Sequence, residues 1–333
     1  MATGWSDRDR LAALPLLAGA TSDQVDRVAG AMRAATATAG QTLGQEGEAG
    51  DDFWLVLSGR LAVTVAGRHG PVTVAEPEAG AVVGELALLR HRPRTATVTA
   101  LDTTRYLTGE ANAMARLLEI HPVRDRLRRL ASRRLAEDLR PVLVARPDRP
   151  AVVLRPLLPS DRAALDSALH ALSAESRRRR FFAVREPSPA LVDYLIDIDY
   201  VDHFAWVALD AETRNGVATG RYIRTDEPGE AEMAFATADA YQRQGVGTVM
   251  LGALGVAAME AGVDRLVAYV MEDNPAMRRV FAKAGGHSRY AEPGVLHVTV
   301  EPGRAAALLD RATAAALGSA VHDVVTAASI ALT

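Results

Sequence analysis

The stretch YQRQGVGTVML, residues 241–251, sets two glycines and a threonine where an apolar strand hands over to an apolar helix. Glycine weakens the interior of either element. Its presence at the junction signals a backbone in the left-handed region or something that must approach the main chain closely. Unpaired N–H groups at a helix N-terminus, with the positive end of the helix dipole behind them, suit a phosphate or pyrophosphate. Gly245 and Gly247 leave room for it, and Thr248 adds a hydroxyl donor. This is not a Walker A loop, because no Gly-Lys-Ser/Thr follows. Nor is it a Rossmann fingerprint: the three-glycine spacing is missing, and no acidic residue closes a second strand about twenty residues on. Taken alone, the loop also reads as a tight strand-to-helix turn.

Working outward, FAWVALD (204–210) and GEAEMAFATADAY (229–241) read as strands, VGTVMLGALGVAAMEAG (246–262) as a helix and DRLVAYVME (264–272) as a strand. NPAMRRVFAKAG (274–285) is a short helix ending at glycine. With these neighbours, Gln242-x-x-Gly245-x-Gly247 resembles the acetyl-CoA pyrophosphate loop of the GNAT N-acetyltransferase family. The stretch MEDNPAMRRVFAKAGG (271–286) is similar to that family's second hallmark, an Asn before a short helix and a Lys-x-Gly turn. The resemblance covers roughly residues 152–300 and implies the splayed-strand fold. It implies acetyl-CoA as co-substrate, with the loop Gln242, Arg243, Gln244, Gly245, Val246, Gly247 and Thr248 around the pyrophosphate. Backbone groups of Phe235, Ala236 and Thr237 would hold the pantetheine arm and polarise the acetyl carbonyl.

Acyl transfer to an amine needs a base, because an ammonium must lose a proton before it attacks a thioester; a carboxylate serves. Glu230 and Glu232 share one face of their strand by the period of two. The family places its base on this strand, and Glu232, nearer the splay point, is the expected base with Glu230 second. Asn274 would bond backbone or pantetheine amides; capping the helix that begins at Pro275 fits it equally well. Many family members carry a tyrosine that protonates the departing thiolate. Here that position matches Phe281, which has no proton to give.

Residues 165–204 form an expected lid over the acceptor cleft: a helix ending in Arg177–Arg180, Phe181 and Phe182, followed by IDIDYVDHF. A lid side chain placed where the substrate amine belongs would block the site. His170 is the expected plug, since an imidazole pairs with Glu232 as an amine would; an ordinary surface histidine is the alternative. Arg177–Arg180 instead offer a dock for an acidic protein substrate or for the other domain.

The first half has another texture. Leu11, Leu14, Leu16 and Leu17 lead to Ser22, an expected N-cap, with Val25, Val28 and Met32 on one helical face. From about 36 to 108, alternating runs such as FWLVLSGRLAVTV separated by glycine turns indicate an antiparallel barrel or jelly roll. Within it lies VVGELALLRHRPRTATVTA (82–100). Gly84-Glu85-Leu86-Ala87, followed by Arg94-Thr95-Ala96, closely resembles the phosphate-binding cassette of cyclic-nucleotide-binding domains, over about residues 14–138. The resemblance implies that Arg94 pairs with the cyclic phosphate beside exposed N–H groups and that Glu85 accepts the ribose 2′-OH. Simple pairing of Arg94 with Glu85 in a nucleotide-free barrel is the other reading. Cyclic AMP is the expected ligand; Thr95 keeps cyclic GMP open, and Arg134 on the following helix would stack on or bond to the base.

The fold expected is thus an N-terminal β-barrel or jelly roll with flanking helices (1–147) and a C-terminal α/β domain with a mixed, splayed sheet (148–333). The Pro-punctuated RPVLVARPDRPA at 140–151 marks the boundary, and 303–333 supplies a closing helix. With no cysteine and no ligand cluster, disulfides and metal are not expected, and a net charge of −3 argues against nucleic acid or anionic membranes. Lys283 is the only lysine beside abundant arginine, a bias a GC-rich genome explains. No apolar run reaches the ~18 residues of a membrane span, and the start MATGWSDRDR lacks a signal-peptide core; a cytoplasmic protein is expected. Together the halves look like the cyclic-AMP-regulated protein lysine acetyltransferases of mycobacterial type. That implies protein lysines as acceptors, acyl-CoA synthetases as partners, and activation by relief of autoinhibition. A gated small-amine acetyltransferase and a catalytically weak binding scaffold are the alternatives.

Overall fold

DFWLVLS (52–58) has no polar face, and both of its sides are used. Phe53, Leu55 and Leu57 point into a cluster shared with helical residues Leu11, Val28, Met114 and Leu127. Trp54 and Val56 point the other way, against Ala37, Leu61, Val83, Val98 and Ala100. A period of two thus feeds two cores from one strand.

The computed structural model describes residues 6–67, 70–90, 92–146 and 149–326. The chain divides into two units, the first ending at Ala131 and the second running from Ser132 to Ala328. The first begins with α1 (Asp7–Ala12), α2 (Ser22–Gly30), β1 (Met32–Ala37), β2 (Thr42–Gly44), β3 (Asp52–Ser58), β4 (Leu61–Gly67), β5 (Gly70–Ala75) and β6 (Val82–Val83). Then come α3 (Glu85–Arg90), β7 (Thr97–Ala100), β8 (Thr104–Glu110), α4 (Ala111–Leu118) and α5 (His121–Asp138), within which the division falls. Two antiparallel four-stranded sheets, β1-β8-β3-β6 and β2-β7-β4-β5, make the jelly roll. The cap of α2 is Thr21, one residue before the expected Ser22. Its hydroxyl accepts from the Gln24 N–H while the Gln24 side chain accepts from the Thr21 N–H, a reciprocal box that fixes the register.

The second unit contains β9 (Val142–Arg146), β10 (Arg149–Pro156), α6 (Arg162–His170), α7 (Ala174–Phe181), α8 (Pro189–Ile196), β11 (His203–Asp210), β12 (Gly216–Arg224) and β13 (Glu230–Thr237). It continues with α9 (Val246–Glu260), β14 (Arg265–Met271), α10 (Pro275–Lys283), β15 (His287–Glu292), β16 (Val295–Val300), α11 (Pro302–Ala306) and α12 (Arg311–Thr326). They form one eight-stranded sheet, β15-β16-β14-β13-β12-β11-β10-β9, in which β13 and β14 alone run parallel. Pro141 and Pro150 lie at an edge pairing: β9 pairs antiparallel with β10, with an irregular register at Arg149–Val152 beside Pro150. Edge strands and bulges are where a missing N–H is tolerated. The expected lid is three helices, α6 to α8, rather than one.

Helix α9 is apolar nearly all round and buried along its length. A Cβ at Gly252 would come within 2.6 Å of Leu309, and one at Gly255 within 2.6 Å of the Ala306 nitrogen, so these glycines let the C-terminal helices close on α9. The expected closing helix is α11 plus α12, with Leu317, Val321 and Val324 fully buried; residues 327–333 lie outside the described residues.

Candidate functional site

In the second unit β13 and β14 pair only at Glu230–Glu232 with Arg265–Val267. Beyond that, β14 follows β16 to Met271 while β13 stays with β12 to Thr237. Residues 233–237 are therefore laddered on one side only, and the sheet opens as a wedge. Phe281 packs edge-on against Phe235 within it, ring centroids 5.8 Å apart.

Two cavities meet in the wedge. One, of about 390 Å³, is lined by Phe235, Ala236, Thr237, Gln242, Arg243, Gly245, Gly247 and Thr248, with Asn274, Arg279 and Lys283 across from them. The turn is built as its sequence demands: Gly245 caps α9 at φ +84°, and Arg243 is also left-handed at φ 59°. A Cβ at Gly245 would meet open space, so this glycine supplies its φ, whereas one at Gly247 would face Phe235 at 3.6 Å. The N–H groups of Gly245, Val246 and Gly247 donate to no acceptor among the described residues, leaving the donors an anion requires. Gln242 fastens the loop, donating to Ser176 Oγ, the Thr237 carbonyl and Asp239 Oδ1, and Gln244 donates to the Ala240 carbonyl. Val246 is buried. Asn274 caps α10, its Oδ1 accepting from the Met277 N–H at 3.1 Å.

The other cavity, of about 400 Å³, holds Glu232 together with Arg180, Tyr194, Arg221, Phe235 and Phe281. Glu232 is exposed and makes no hydrogen bond or ion pair among the described residues. Glu230 is committed elsewhere, with Arg265 Nε 3.0 Å from its carboxylate and the Thr225 hydroxyl at 3.3 Å. Of the two candidate bases, only Glu232 is available to a substrate.

The arginine run on α7 resolves into unequal parts. Arg177 pairs with Glu186, Arg178 with Glu175 and Asp273, and Arg179 with Glu175. Arg180 pairs with none of these: it stacks on Phe181 at 4.7 Å and reaches both cavities. Burial lowers its pKa to about 10, with the Glu232 charge pulling the other way. Arg221, from β12, donates to the Leu195 carbonyl and to His203 Nε2. Burial, then the neighbouring Arg180 charge, lowers it to about 9. His203 is lowered to about 4 by burial first and Arg221 second, and is therefore neutral, with Nδ1 facing the Asp197 carbonyl. Sequence reasoning missed Arg221, His203 and Tyr194; the only signal was a charged residue at an otherwise apolar strand centre.

His170 is not brought to Glu232. It ends α6, exposed, with Nδ1 2.9 Å from the Asp166 carbonyl, and it lines neither cavity. Four residues back on the same helix, Asp166 is its natural partner; Arg180 occupies the place assigned to it.

In the first unit, Gly84 (φ +86°) turns β6 into α3, and Glu85 is fully buried at the helix start with Ala87 behind it and Leu86 half-exposed. Arg94 is buried and stacks 4.4 Å over the Trp54 ring. Its pairing partner is Asp52 rather than Glu85, through Nη2, with the Asp52 carbonyl also accepting. Thr108 holds the other Asp52 oxygen at 3.1 Å. A Cβ at Gly84 would sit 2.9 Å from Arg94 Nη1, and one at Gly44 2.7 Å from Nε, so both glycines clear space around the guanidinium. Nη1 is buried with no acceptor among the described residues, a donor suited to an anionic ligand. Thr95 is exposed. Arg134 belongs to the second unit, where its charge lies near Asp138.

Residues 35–121 match the pattern described as cyclic nucleotide-binding domain, and residues 151–287 the pattern described as acetyltransferase (GNAT) domain. The chain belongs to the family of two-domain acetyltransferases that join a cyclic-nucleotide-binding domain to a GNAT domain. It is 36% identical over 292 residues to Acetyltransferase Pat of Mycolicibacterium smegmatis, covering 87% of this chain and 88% of that one. Its first half is 38% identical over 115 residues to the cAMP-dependent protein kinase regulatory subunit of Yarrowia lipolytica, covering 34% of this chain and 30% of that one. Among solved structures, the cAMP-binding acyltransferase from Mycobacterium smegmatis is similar, with 32% identity over 97% of each chain and a TM-score of 0.48. No helix among the described residues is long and apolar enough to cross a membrane.

Proposed function

We propose that this acetyltransferase moves the acetyl group of acetyl-CoA to the ε-amino group of a lysine in a protein substrate, under control of cyclic AMP. The observation that carries the reading is Glu232: a carboxylate unengaged among the described residues where β13 parts from β14, in a cavity that adjoins the glycine-loop cavity at Phe235 and Arg180. Glu232 takes the proton from the incoming ammonium. The one-sided backbone of Phe235 to Thr237 pairs with the pantetheine amides and steadies the carbonyl oxygen. The free N–H groups of Gly245 to Gly247, with Thr248 and Arg243, hold the pyrophosphate. Phe281 donates no proton, so the thiolate leaves unassisted by that residue. Acetyl-CoA supplies the activated acyl group and its leaving thiolate.

Cyclic AMP is the ligand proposed for the first unit, with Arg94 Nη1 on the phosphate, Glu85 on the ribose hydroxyl and the Gly84–Ala87 turn beside them. Cyclic GMP, through Thr95, is the variant to be tested alongside. The basal state is proposed to be restrained and relieved by nucleotide, with α7 and α8 rather than His170 as the covering piece, since Arg180, Phe181 and Tyr194 wall the acceptor cavity. A polycationic small amine is disfavoured as acceptor because the cavity's charged lining is Arg179, Arg180, Arg221 and Arg224 against Glu232 alone. Acyl-CoA synthetases are the proposed protein partners.

The test is transfer from radiolabelled acetyl-CoA to a purified acyl-CoA synthetase, with and without cyclic AMP, for wild type and Arg94→Ala. Stimulation that disappears in Arg94→Ala supports both halves. Transfer indifferent to nucleotide removes the switch, and no transfer at all points to another acceptor or to the scaffold reading.

A further inference from the structure

Two guanidinium groups share a cavity with Glu232, and neither has a hydrogen-bonded carboxylate among the described residues. Arg221 is 3% exposed and lines the acceptor cavity. Both its named partners, the Leu195 carbonyl and His203 Nε2, are neutral, and its Nε is buried with no acceptor. Arg221 lies opposite Ala234 and Glu232 opposite Ile223, so the two side chains stand diagonally on one sheet face, about 7–8 Å apart at the backbone. Arg180 reaches the same cavity from α7 and makes no hydrogen bond among the described residues, resting on the Phe181 ring. A buried cation without a counter-ion costs several kcal/mol; of the four arginines that line the cavity, Arg179 pairs with Glu175 and Arg224 with Asp202, whereas Arg180 and Arg221 have no carboxylate among the described residues. Glu232 cannot fill the role, because a carboxylate locked to arginine would be a poor base.

We propose that Arg221 and Arg180 form a carboxylate-binding subsite in the acceptor cavity, so that the molecule reacting beside Glu232 carries a carboxylate near its reacting centre. This rests on the reading of Glu232 as the base of the transferase site. The carboxylate has two possible carriers of the same chemistry: an acidic residue flanking the target lysine, or the far end of a dicarboxylic acyl group on CoA. Planar bidentate pairing with arginine suits either, and a Lys replacement would recover only part of it.

The full chain, saturated with cyclic AMP, is assayed with Glu-flanked and Gln-flanked lysine peptides, each with acetyl-CoA, and with succinyl-CoA against butyryl-CoA on the neutral peptide. The expected result is an advantage of about thirtyfold or more in kcat/KM for one carboxylate-bearing reactant over its neutral counterpart. Arg221→Gln and Arg180→Gln should each cut that advantage severalfold, and Arg221→Lys should keep part of it. An advantage in the peptide arm assigns the acceptor as carrier, and one in the acyl arm assigns the donor. Transfer with no preference in either arm overturns the subsite and leaves Glu232 standing as base. Should no pair react, the base reading falls, and calorimetry with succinate decides the subsite independently: binding that Arg221→Gln abolishes supports it, and absence of binding overturns it. Thermal unfolding of each variant confirms that it is folded, and Arg180→Gln serves if Arg221→Gln is not.

Discussion

Both units bury arginine beside a ligand site, but they prepare it differently. Arg94 is stacked on Trp54, paired with Asp52 and boxed in by two glycines, with one buried nitrogen that has no acceptor among the described residues. Arg180 and Arg221 are held by an aromatic face and neutral acceptors, in a cavity they share with Glu232, a carboxylate with no hydrogen bond or ion pair among the described residues. A sensor gains from a cation already oriented and partly neutralised, since binding then exchanges one anion for another with little rearrangement. In the proposed transfer site a base must not be consumed in an ion pair, which is consistent with Glu232 pairing with neither Arg180 nor Arg221 among the described residues.

The contrast breaks most visibly at Glu232. Glu232→Gln should lower kcat/KM by about a hundredfold or more, read in acetyl-transfer assays, while nucleotide binding by calorimetry stays intact. Equal activity in Glu232→Gln would end the contrast. Arg94→Ala should weaken cyclic AMP binding by about thirtyfold or more, because it strands Asp52 as well as losing the ligand's partner; retention of wild-type affinity would show that the oriented cation is not what binds.

A third test sharpens the neutral-acceptor half. The fold lowers His203 to about 4 from an ordinary 6.5, so its contribution is intact above about pH 6.5 and is lost as pH falls toward 4. Urea unfolding of wild type against His203→Asn should differ in that window by on the order of 3 kcal/mol, and parallel curves would mean His203 protonates freely. Gly245→Ala should raise the KM for acetyl-CoA and cost about 1–2 kcal/mol from its left-handed φ alone, since its Cβ has space. The smallest effect belongs to Glu230→Gln, which should cost less than about 1 kcal/mol in thermal unfolding because its ion pair is partly exposed.

Features set by local chain chemistry were legible in the sequence. Gly84 and Gly245 announce turns that only glycine adopts easily, and the period of two in EAEMAF places Glu230 and Glu232 on one face. What escaped depends on tertiary placement. Nothing local says that Arg180, fourth in a row of arginines, escapes the carboxylates that take its three neighbours. The choice of Asp52 over Glu85 for Arg94 joins residues 42 apart, and His170 was misplaced because a helix's rotation is set by what it packs on. The edge pairing of β9 with β10 was masked by prolines that signal a linker yet are equally at home on a sheet edge.

The parting of β13 from β14 also bears on how this protein avoids sticking to itself. Exposed strand edges invite pairing with another chain and so seed aggregation. Here two short edges face each other in the middle of an eight-stranded sheet, residues 233–237 of β13 and 268–271 of β14, and the ladder closes at Glu232. A foreign strand entering there could pair only over residues 233–237 before meeting the Glu232–Val267 rung, and an isolated two-stranded pairing of that kind is marginal in water. A thin, flexible arm bearing two amides meets no such stop. Under the proposed function the wedge would filter by shape, taking a cofactor tail as a temporary strand and giving polypeptide little foothold.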